Sequence, residues 1–151
     1  NKPKYEYIKS NQKAKFEDQD KRINLIAGKF ENLEGPVKGH NVEPIYFDIE
    51  LKEKKKINLT VPKTHNSFIY LLKGDLKIGS QNHGNISDST LILLEKGSDL
   101  EVLANKKSKF LFIAGKPIGE PIARGGPFVM NTKAEILQAI QDYNNGTFAK
   151  Y

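Results

Sequence analysis

The segment IYFDIEL, residues 45–51, alternates apolar with polar side chains and decides the fold class of this 151-residue chain. Alternation with a period of two places its four apolar residues on one face, so the segment is predicted to be a half-buried β-strand. The pattern returns in INLTV, residues 57–61, and Pro62 ends it because proline has no amide hydrogen to donate. The intervening KEKKK, residues 52–56, is predicted to be a solvated hairpin loop.

Further apolar segments of strand length lie on both sides of this region. They occupy residues 23–26, 68–72, 76–78, 91–94, 100–102 and 110–113. Turns are predicted at Gly74-Asp75, at Gly97-Ser98 and at residues 105–108. About eight short strands with turns at close spacing are typical of an antiparallel β-sandwich or barrel, so the sequence predicts an all-β fold.

Composition and charge exclude several classes of protein. Cysteine is absent, so the chain has no disulfide, no thiolate metal ligand and no cysteine nucleophile. No apolar run approaches the roughly 20 residues of a membrane-spanning helix. The 24 basic and 18 acidic side chains give a net charge of +6, and only residues 52–56 resemble a basic patch. Because neither arginines nor interleaved aromatic residues accompany those lysines, a nucleic-acid partner is not expected. The lack of a long apolar run predicts no membrane partner.

The last quarter of the sequence departs from the strand pattern. Residues 117–127 contain repeated glycine and proline and are predicted to be an irregular loop. Thr132 and Glu135 form a T-x-x-E capping box, which predicts the start of a helix, and Asn144-Asn145-Gly146 predicts its left-handed end. The apolar stripe of this helix comprises Ile136, Leu137, Ile140 and Tyr143. Such a stripe has to be covered, so we expect the helix to pack on the sheet or on a neighbouring domain.

The sequence contains no recognisable catalytic constellation. The three histidines, His40, His65 and His83, lie about 20 positions apart, and this spacing gives no pair of metal ligands on one strand or helix turn. Neither a glycine-rich phosphate loop nor a G-x-S-x-G nucleophile elbow is present. We therefore predict no catalytic residue and no metal ligand in this chain.

The spacing of the predicted strands and turns resembles that of cupin metalloenzymes. Their first block is G-x5-H-x-H-x3,4-E-x6-G, in which alternation puts both histidines on the inward face beside the glutamate. The segment FIYLLKG, residues 68–74, resembles the end of this block. Counting back from Gly74 puts Ser67 in the glutamate position. The two histidine positions then hold Thr60 or Val61, and Pro62 or Lys63.

The second cupin block, G-x5-P-x-G-x2-H-x3-N, is similarly altered. Around Gly97 the histidine position holds Leu100 and the asparagine position holds Ala104. His65 is close in number to the first block but out of register with it. The sequence therefore predicts a cupin-type frame in which all four ligand positions carry groups that bind such a metal poorly or not at all.

The tail carries a more specific resemblance. GPFVMNT, residues 126–132, followed by a capped helix ending in NGTF, resembles the C-terminal signature of the pirin family. The resemblance extends over roughly residue 23 to the end. It implies a bicupin whose first barrel binds non-haem iron through three histidines and a glutamate and whose second barrel binds no metal. Members are known as iron-dependent quercetin 2,3-dioxygenases and, in animals, as nuclear cofactors of transcription-factor complexes.

This resemblance implies that the chain is the second, C-terminal half of such a protein. The fold it implies is a cupin-type antiparallel β-sandwich or jelly roll with one C-terminal α-helix. Fe(II) is expected in an N-terminal cupin half that this sequence lacks, and that half is the expected partner, with other proteins as further partners. The expected compartment is the cytoplasm. We predict residues 1–20 to be a connector or edge segment, 21–115 to be the barrel, and 116–151 to be a loop and helix of the same domain.

The apolar residues of the tail signature are the candidate interdomain contact. They are Pro127, Phe128, Val129 and Met130. These residues either close the end of their own barrel or dock on the iron-bearing half. Two other functions remain open. The first is a protein-interaction module that uses this segment and the basic loop. The second is a small-molecule site in the barrel interior, with Tyr46, Tyr70 or Asn24 as polar anchors.

Overall fold

The computed structural model describes residues 5, 7–12, 14–38, 41–79 and 86–149. Over these residues the backbone is mostly extended, with a short 3-10 helix at Ser10–Gln12 and one α-helix near the end. This antiparallel β-rich fold with a C-terminal helix confirms the predicted fold class. The chain forms two compact units, Asn1–Pro117 and Ile118–Tyr151, each of which is described by itself. The predicted domain boundaries remain a prediction.

The first unit contains nine strands among its described residues. They are β1 (Ala14–Glu17), β2 (Lys21–Ala27), β3 (Lys29–Phe30), β4 (Leu33–Glu34), β5 (Ile45–Leu51), β6 (Lys56–Thr60), β7 (Asn66–Ile78), β8 (Thr90–Leu94) and β9 (Asp99–Gly115). Antiparallel pairing joins six of them in the order β1-β2-β5-β9-β7-β8, with β1 at one edge and β8 at the other, while β3 and β4 form a separate two-stranded sheet. β9 also pairs with β6, so it has three partners and organises the unit.

The predicted hairpin at residues 52–56 is wrong. β5 and β6 each pair with β9, β5 with residues 108–114 and β6 with residues 99–103, and β5 does not pair with β6. The connecting loop is instead bonded to Ala104, which accepts from the Lys54 amide at 2.7 Å and donates to the Lys55 carbonyl at 2.9 Å. The lysine segment therefore lies beside the middle of β9 and connects the strand that pairs with its C-terminal half to the strand that pairs with its N-terminal end.

The predicted turns at Gly74-Asp75 and at residues 105–108 are also wrong. β7 and β9 run through both positions as continuous strands, and their mutual register shifts there, which marks a β-bulge. Ser108 ties the two bulges together, because its buried hydroxyl accepts from the Asp75 amide at 3.0 Å and lies 2.7 Å from the Lys106 carbonyl. Two long bent strands thus replace the four short ones that the sequence predicts.

The core of the first unit follows the predicted alternation. In β5, Phe47, Ile49 and Leu51 are buried while the polar residues between them are half-buried, and β9 buries Phe110 and Phe112 completely. A run of aromatic contacts crosses this core: the ring centroids of Phe47 and Phe112 lie 6.1 Å apart, and Phe30 and Phe16 continue the run at 6.2 Å and 5.2 Å. Phenyl rings at such distances add packing energy beyond the area that they bury.

The turn between β1 and β2 depends on the carboxylate of Asp18. Its Oδ1 accepts from the amides of Asp20 and Lys21 at 2.7 and 2.8 Å, and its Oδ2 accepts from Lys21 Nζ at 2.8 Å. The Lys21 ammonium is the largest cause that lowers the pKa of Asp18 to about 2, and the two amides add to it. The ionised carboxylate therefore stabilises the folded chain.

Asp18→Asn should lower the melting temperature at neutral pH and have less effect in acid. The folded-state pKa lies below the ordinary value of 3.8, so the stabilisation is complete above pH 3.8 and is lost as the pH falls through about 2. Because Asp18 is partly exposed, we expect a loss of no more than about 1 kcal/mol at pH 7. Thermal unfolding of both proteins between pH 2 and 7 measures this, and a melting-temperature difference that does not shrink toward pH 2 would contradict it.

The second unit is a β-hairpin with a helix packed on it. β10 (Ala123–Gly125) pairs with β11 (Phe128–Met130), and α1 spans Lys133–Asn144. The prediction of an irregular loop over residues 117–127 is therefore wrong for β10, because Gly126 and Pro127 make a two-residue turn between strands.

The predicted helix ends are both confirmed. The Thr132 hydroxyl accepts from the Glu135 amide, and the Glu135 carboxylate accepts from the Thr132 amide at 2.8 Å, which completes the capping box. Gly146 follows the helix with φ of +71°.

The helix approaches the hairpin closely at Gly125. A Cβ atom at this position would overlap Cγ2 of Ile136, so a larger residue there would push the helix away. Ile136 and Ala139 are the buried helix residues on this contact. The helix therefore packs on the hairpin of its own unit, and the glycine permits that packing.

Candidate functional site

The inner wall of the first unit does not fit a transition-metal ion. The four positions that correspond to the cupin ligands hold Thr60 or Val61, Pro62 or Lys63, Ser67 and Leu100. Val61 is buried, Pro62 and Lys63 are exposed, and Leu100 packs against the core. Ser67 is half-buried on β7, and its hydroxyl is a poor ligand beside the histidine nitrogens and carboxylates that such a site uses. No group of three or more histidine or acidic side chains that could hold a metal occurs among the described residues.

His65 makes hydrogen bonds through both of its ring nitrogens. The residue is 3% exposed, and its Nε2 lies 3.0 Å from the carbonyl oxygen of Glu43. A carbonyl only accepts, so Nε2 carries the hydrogen, and Nδ1 is left to accept from the Thr64 hydroxyl at 3.3 Å. This arrangement holds the loop before β5 against the loop before β7 and leaves no lone pair for a metal. His40 and His83 lie outside the described residues.

The polar residues predicted to anchor a small molecule in the barrel interior lie on the outer face of the sheet instead. Tyr46, Asp48 and Glu50 alternate with the buried residues of β5, so they lie on the outer face of the sheet. Tyr70 on β7 and Asn24 on β2 occupy the same outer face, because their neighbours Ile69, Leu71, Ile23 and Leu25 are buried. The hypothesis of a small-molecule site anchored by these residues in the interior is therefore wrong.

The lysine segment at residues 52–56 is partly paired with acidic groups. Lys55 Nζ lies 2.9 Å from Asp20 Oδ1, and Lys56 Nζ lies 2.9 Å from Glu101 Oε2. These pairs join the segment to the turn before β2 and to β9. Exposed ion pairs of this kind contribute little to stability, so they do not by themselves define a binding surface.

The tail segment predicted as an interdomain contact divides into two kinds of residue. Phe128 and Met130 are half-buried, and the Phe128 ring lies 6.1 Å from Tyr143 and 5.1 Å from Phe148. Pro127 and Val129 are exposed, Val129 to 62%. The segment thus contributes both to the packing of its own unit and to its surface.

The second unit leaves much of its apolar surface exposed. Its exposed large apolar side chains are Ile118, Ile122, Val129, Leu137, Ile140, Tyr143 and Phe148. Its buried apolar side chains are Ile136 and Ala139. The unit also has fewer than the roughly 40 residues below which a domain seldom folds without further support. Exposed apolar area on so small a unit is typical of a surface that binds another protein surface.

The fold and the site together define the class of this protein. The mostly antiparallel β-sheets with one C-terminal helix are those of a cupin β-sandwich. The sequence model of the Pirin C-terminal cupin domain matches residues 46–149. The chain therefore belongs to the pirin family, which confirms the resemblance found in its tail.

Curated and solved relatives agree with this assignment. Pirin-1 of Arabidopsis thaliana is 36% identical over 95% of this chain, and a pirin-like protein of Solanum lycopersicum is 34% identical over 95%. The crystal structure of a quercetin 2,3-dioxygenase from Acinetobacter baumannii is 31% identical, with a TM-score of 0.83 over 97% of this chain. The chain covers 51%, 50% and 51% of these three proteins, so it spans about half of their length.

In the part of the chain that the structure describes, no helix has the length and apolar character needed to span a membrane.

Proposed function

We propose that this chain is the metal-free C-terminal half of a pirin-type bicupin and that it supports an iron site in the other half. The observation that carries the proposal is the set of residues at the four cupin ligand positions of the first unit, which are threonine or valine, proline or lysine, serine, and leucine. A cupin fold without these ligands cannot hold the metal itself, so the role that we assign to it is to support the half that does.

The size of the relatives supports a second half. This chain corresponds to about half of the Arabidopsis and Acinetobacter proteins, and the matching family description is that of a C-terminal domain. Fe(II) in the N-terminal half would supply the dioxygen chemistry on a flavonol such as quercetin. This substrate class is carried over from the Acinetobacter relative, which is a quercetin 2,3-dioxygenase. The cytoplasmic location and the alternative role as a protein-interaction module remain predictions.

The second unit would contribute to holding the halves together. Its exposed residues, among them Pro127, Val129 and Leu137, offer apolar area to a partner. Burying one such side chain contributes on the order of 1.5–3 kcal/mol, so a few of them are enough to fix a contact between covalently linked halves.

The purified chain should contain no stoichiometric iron after incubation with Fe(II) and should not turn over quercetin. Metal analysis and oxygen consumption measure these two properties. The full-length Acinetobacter relative, loaded in parallel, shows that the loading and the assay work. Stoichiometric iron together with quercetin turnover in this chain would overturn the proposal. Any iron it retains should be unchanged in His65→Ala, because both ring nitrogens of His65 are already hydrogen-bonded.

A further inference from the structure

The strand β8 forms one edge of the main sheet. Among the described residues it pairs with β7 alone, from Thr90 opposite Leu71 to Leu94 opposite Ser67. Along an antiparallel strand, successive residues direct their amide and carbonyl groups to opposite sides. About half of the backbone groups of β8 therefore point away from β7, toward a side on which the described residues form no further strand.

The composition of β8 lacks the features that usually prevent an edge strand from pairing. Natural edges carry charged side chains, proline or a β-bulge. β8 has the sequence TLILL, and its register with β7 is continuous. The opposite edge of the sheet is β1, where Lys15 and Glu17 are exposed and form an ion pair. The charges therefore protect one edge against association and leave the other unprotected.

The side chains of β8 are apolar on both faces of the sheet. Leu91 and Leu93 lie on the outer face and are 56% and 77% exposed. Ile92 and Leu94 pack against the core but remain half-buried. With five residues β8 has the usual length of a strand, so it is long enough to accept a further strand along its free side.

We propose that β8 pairs antiparallel with β8 of a second copy of this chain, about a two-fold axis at Ile92. The occupant follows from the self-complementarity of the strand. The antiparallel register that pairs the whole of β8 with its copy is centred on residue 92, and it sets Leu91 opposite Leu93 of the second copy. Four leucines would then adjoin one another across the axis, and apolar cross-strand pairs of this kind stabilise a sheet.

The charges beside β8 agree with the same register. Asp88 precedes the strand and Lys96 follows it, so pairing about residue 92 directs Lys96 of one copy toward Asp88 of the other. Glu95 is directed toward Ser89 in the same way, and between residues 88 and 96 no two like charges are opposed. Opposed unlike charges select one register more than they add affinity.

The contact is closed, because it uses the β8 edge of both copies. A two-fold contact of this kind ends at two chains and does not grow into a fibre. An edge of five residues is about 17 Å long, and it buries less than the roughly 800 Å² on each partner of a standard interface. We therefore expect a weak dimer that forms as the concentration rises. The pairing is independent of the proposed function, since it involves neither the cupin ligand positions nor the second unit.

Single cysteines test the register in the protein translated from the complete reading frame that encodes this chain. The chain itself has no cysteine, and the unsubstituted protein gives the background. Leu91→Cys and Leu93→Cys place thiols at directly opposed positions, whose Cβ atoms would lie about 4.5–5.5 Å apart. Two copies of one variant would hold their thiols on a diagonal of about 7–8 Å, which a disulfide does not span.

Under mild oxidation, an equimolar mixture of the two variants should form disulfide-linked dimers at least about tenfold faster than either variant alone. Non-reducing electrophoresis measures the rates. Equal rates in the mixture and in the single variants, or a faster rate in a single variant, would overturn the proposal.

Sedimentation measures the association itself. Leu93→Lys places an ammonium group at the edge, as natural edges do, and should shift the dimer toward monomer without changing the circular dichroism. Leu137→Lys is the matched control, because Leu137 is 67% exposed on α1 and lies outside β8, so the dimer should persist. Three results contradict the pairing: a protein that stays monomeric up to about 1 mM, assemblies larger than a dimer, and a dimer that Leu137→Lys weakens as much as Leu93→Lys.

Discussion

Replacing Phe112 with alanine should lower the free energy of unfolding by about 3–5 kcal/mol, the range for removing a large aromatic side chain from a packed core. Phe112 is fully buried on β9, where its register partners are Phe47 on β5 and Ile69 on β7. The cavity left by the phenyl ring would lie between β5, β9 and β7. The hydrogen bonds between these strands would keep it from collapsing. Such a loss is a large fraction of the roughly 5–15 kcal/mol that stabilises a typical domain. Urea unfolding followed by circular dichroism measures it.

Leu137→Ala is the matched control for this substitution. It also truncates an apolar side chain to alanine, but Leu137 is 67% exposed on α1, so the change should stay within about 0.5 kcal/mol. A loss below about 1 kcal/mol for Phe112→Ala would mean that the phenyl ring does not lie in the packed core.

The sequence predicted the core because side-chain alternation is a local property. In β5 the period of two identifies Phe47, Ile49 and Leu51 as inward-facing without knowledge of any partner strand. The capping box of α1 was predictable for the same reason, since Thr132 and Glu135 bond to each other over three residues. Features that depend on a few neighbouring residues were therefore predicted correctly.

The errors arose where the structure depends on distant pairing. Gly74-Asp75 has the composition of a turn, but it lies opposite Ser108, 33 residues after Asp75, and this contact makes it a bulge. Likewise the loop at residues 52–56 lies between two alternating segments, yet β5 and β6 both pair with β9. Nothing within either segment specifies the strand that it will meet.

The two candidate surfaces also differ in whether the sequence alone could identify them. Phe128 and Val129 stood out because apolar residues in a glycine- and proline-rich segment are unusual. The free edge of β8 could not be found from the sequence, because Leu91 and Leu93 come to lie at an edge only through the pairing order of the whole sheet. In the sequence each of them is one more apolar residue of a strand.

Gly74→Ala should lower the free energy of unfolding by at least about 3 kcal/mol, from two causes that act together. Gly74 has φ of +116°, a conformation that costs a residue with a Cβ on the order of 1–3 kcal/mol. The added Cβ would also overlap Oγ of Ser108 and lie 2.6 Å from its Cα, so the two strands would have to separate at their bulges. That separation would break the hydrogen bond from the Asp75 amide to Ser108 Oγ. Chemical unfolding measures the loss.

Two other glycines separate these causes. Gly119 has φ of +72°, and a Cβ atom added there would meet no heavy atom of the described residues within 4 Å. Gly119→Ala should therefore show the backbone cost alone, on the order of 1–3 kcal/mol. Gly97 has equally open space and no positive φ, so Gly97→Ala should be neutral or stabilise the chain by up to about 1 kcal/mol. If Gly74→Ala costs no more than Gly119→Ala, the strands can move apart freely at Ser108. The contact between the two bulges would then not determine how β7 bends against β9.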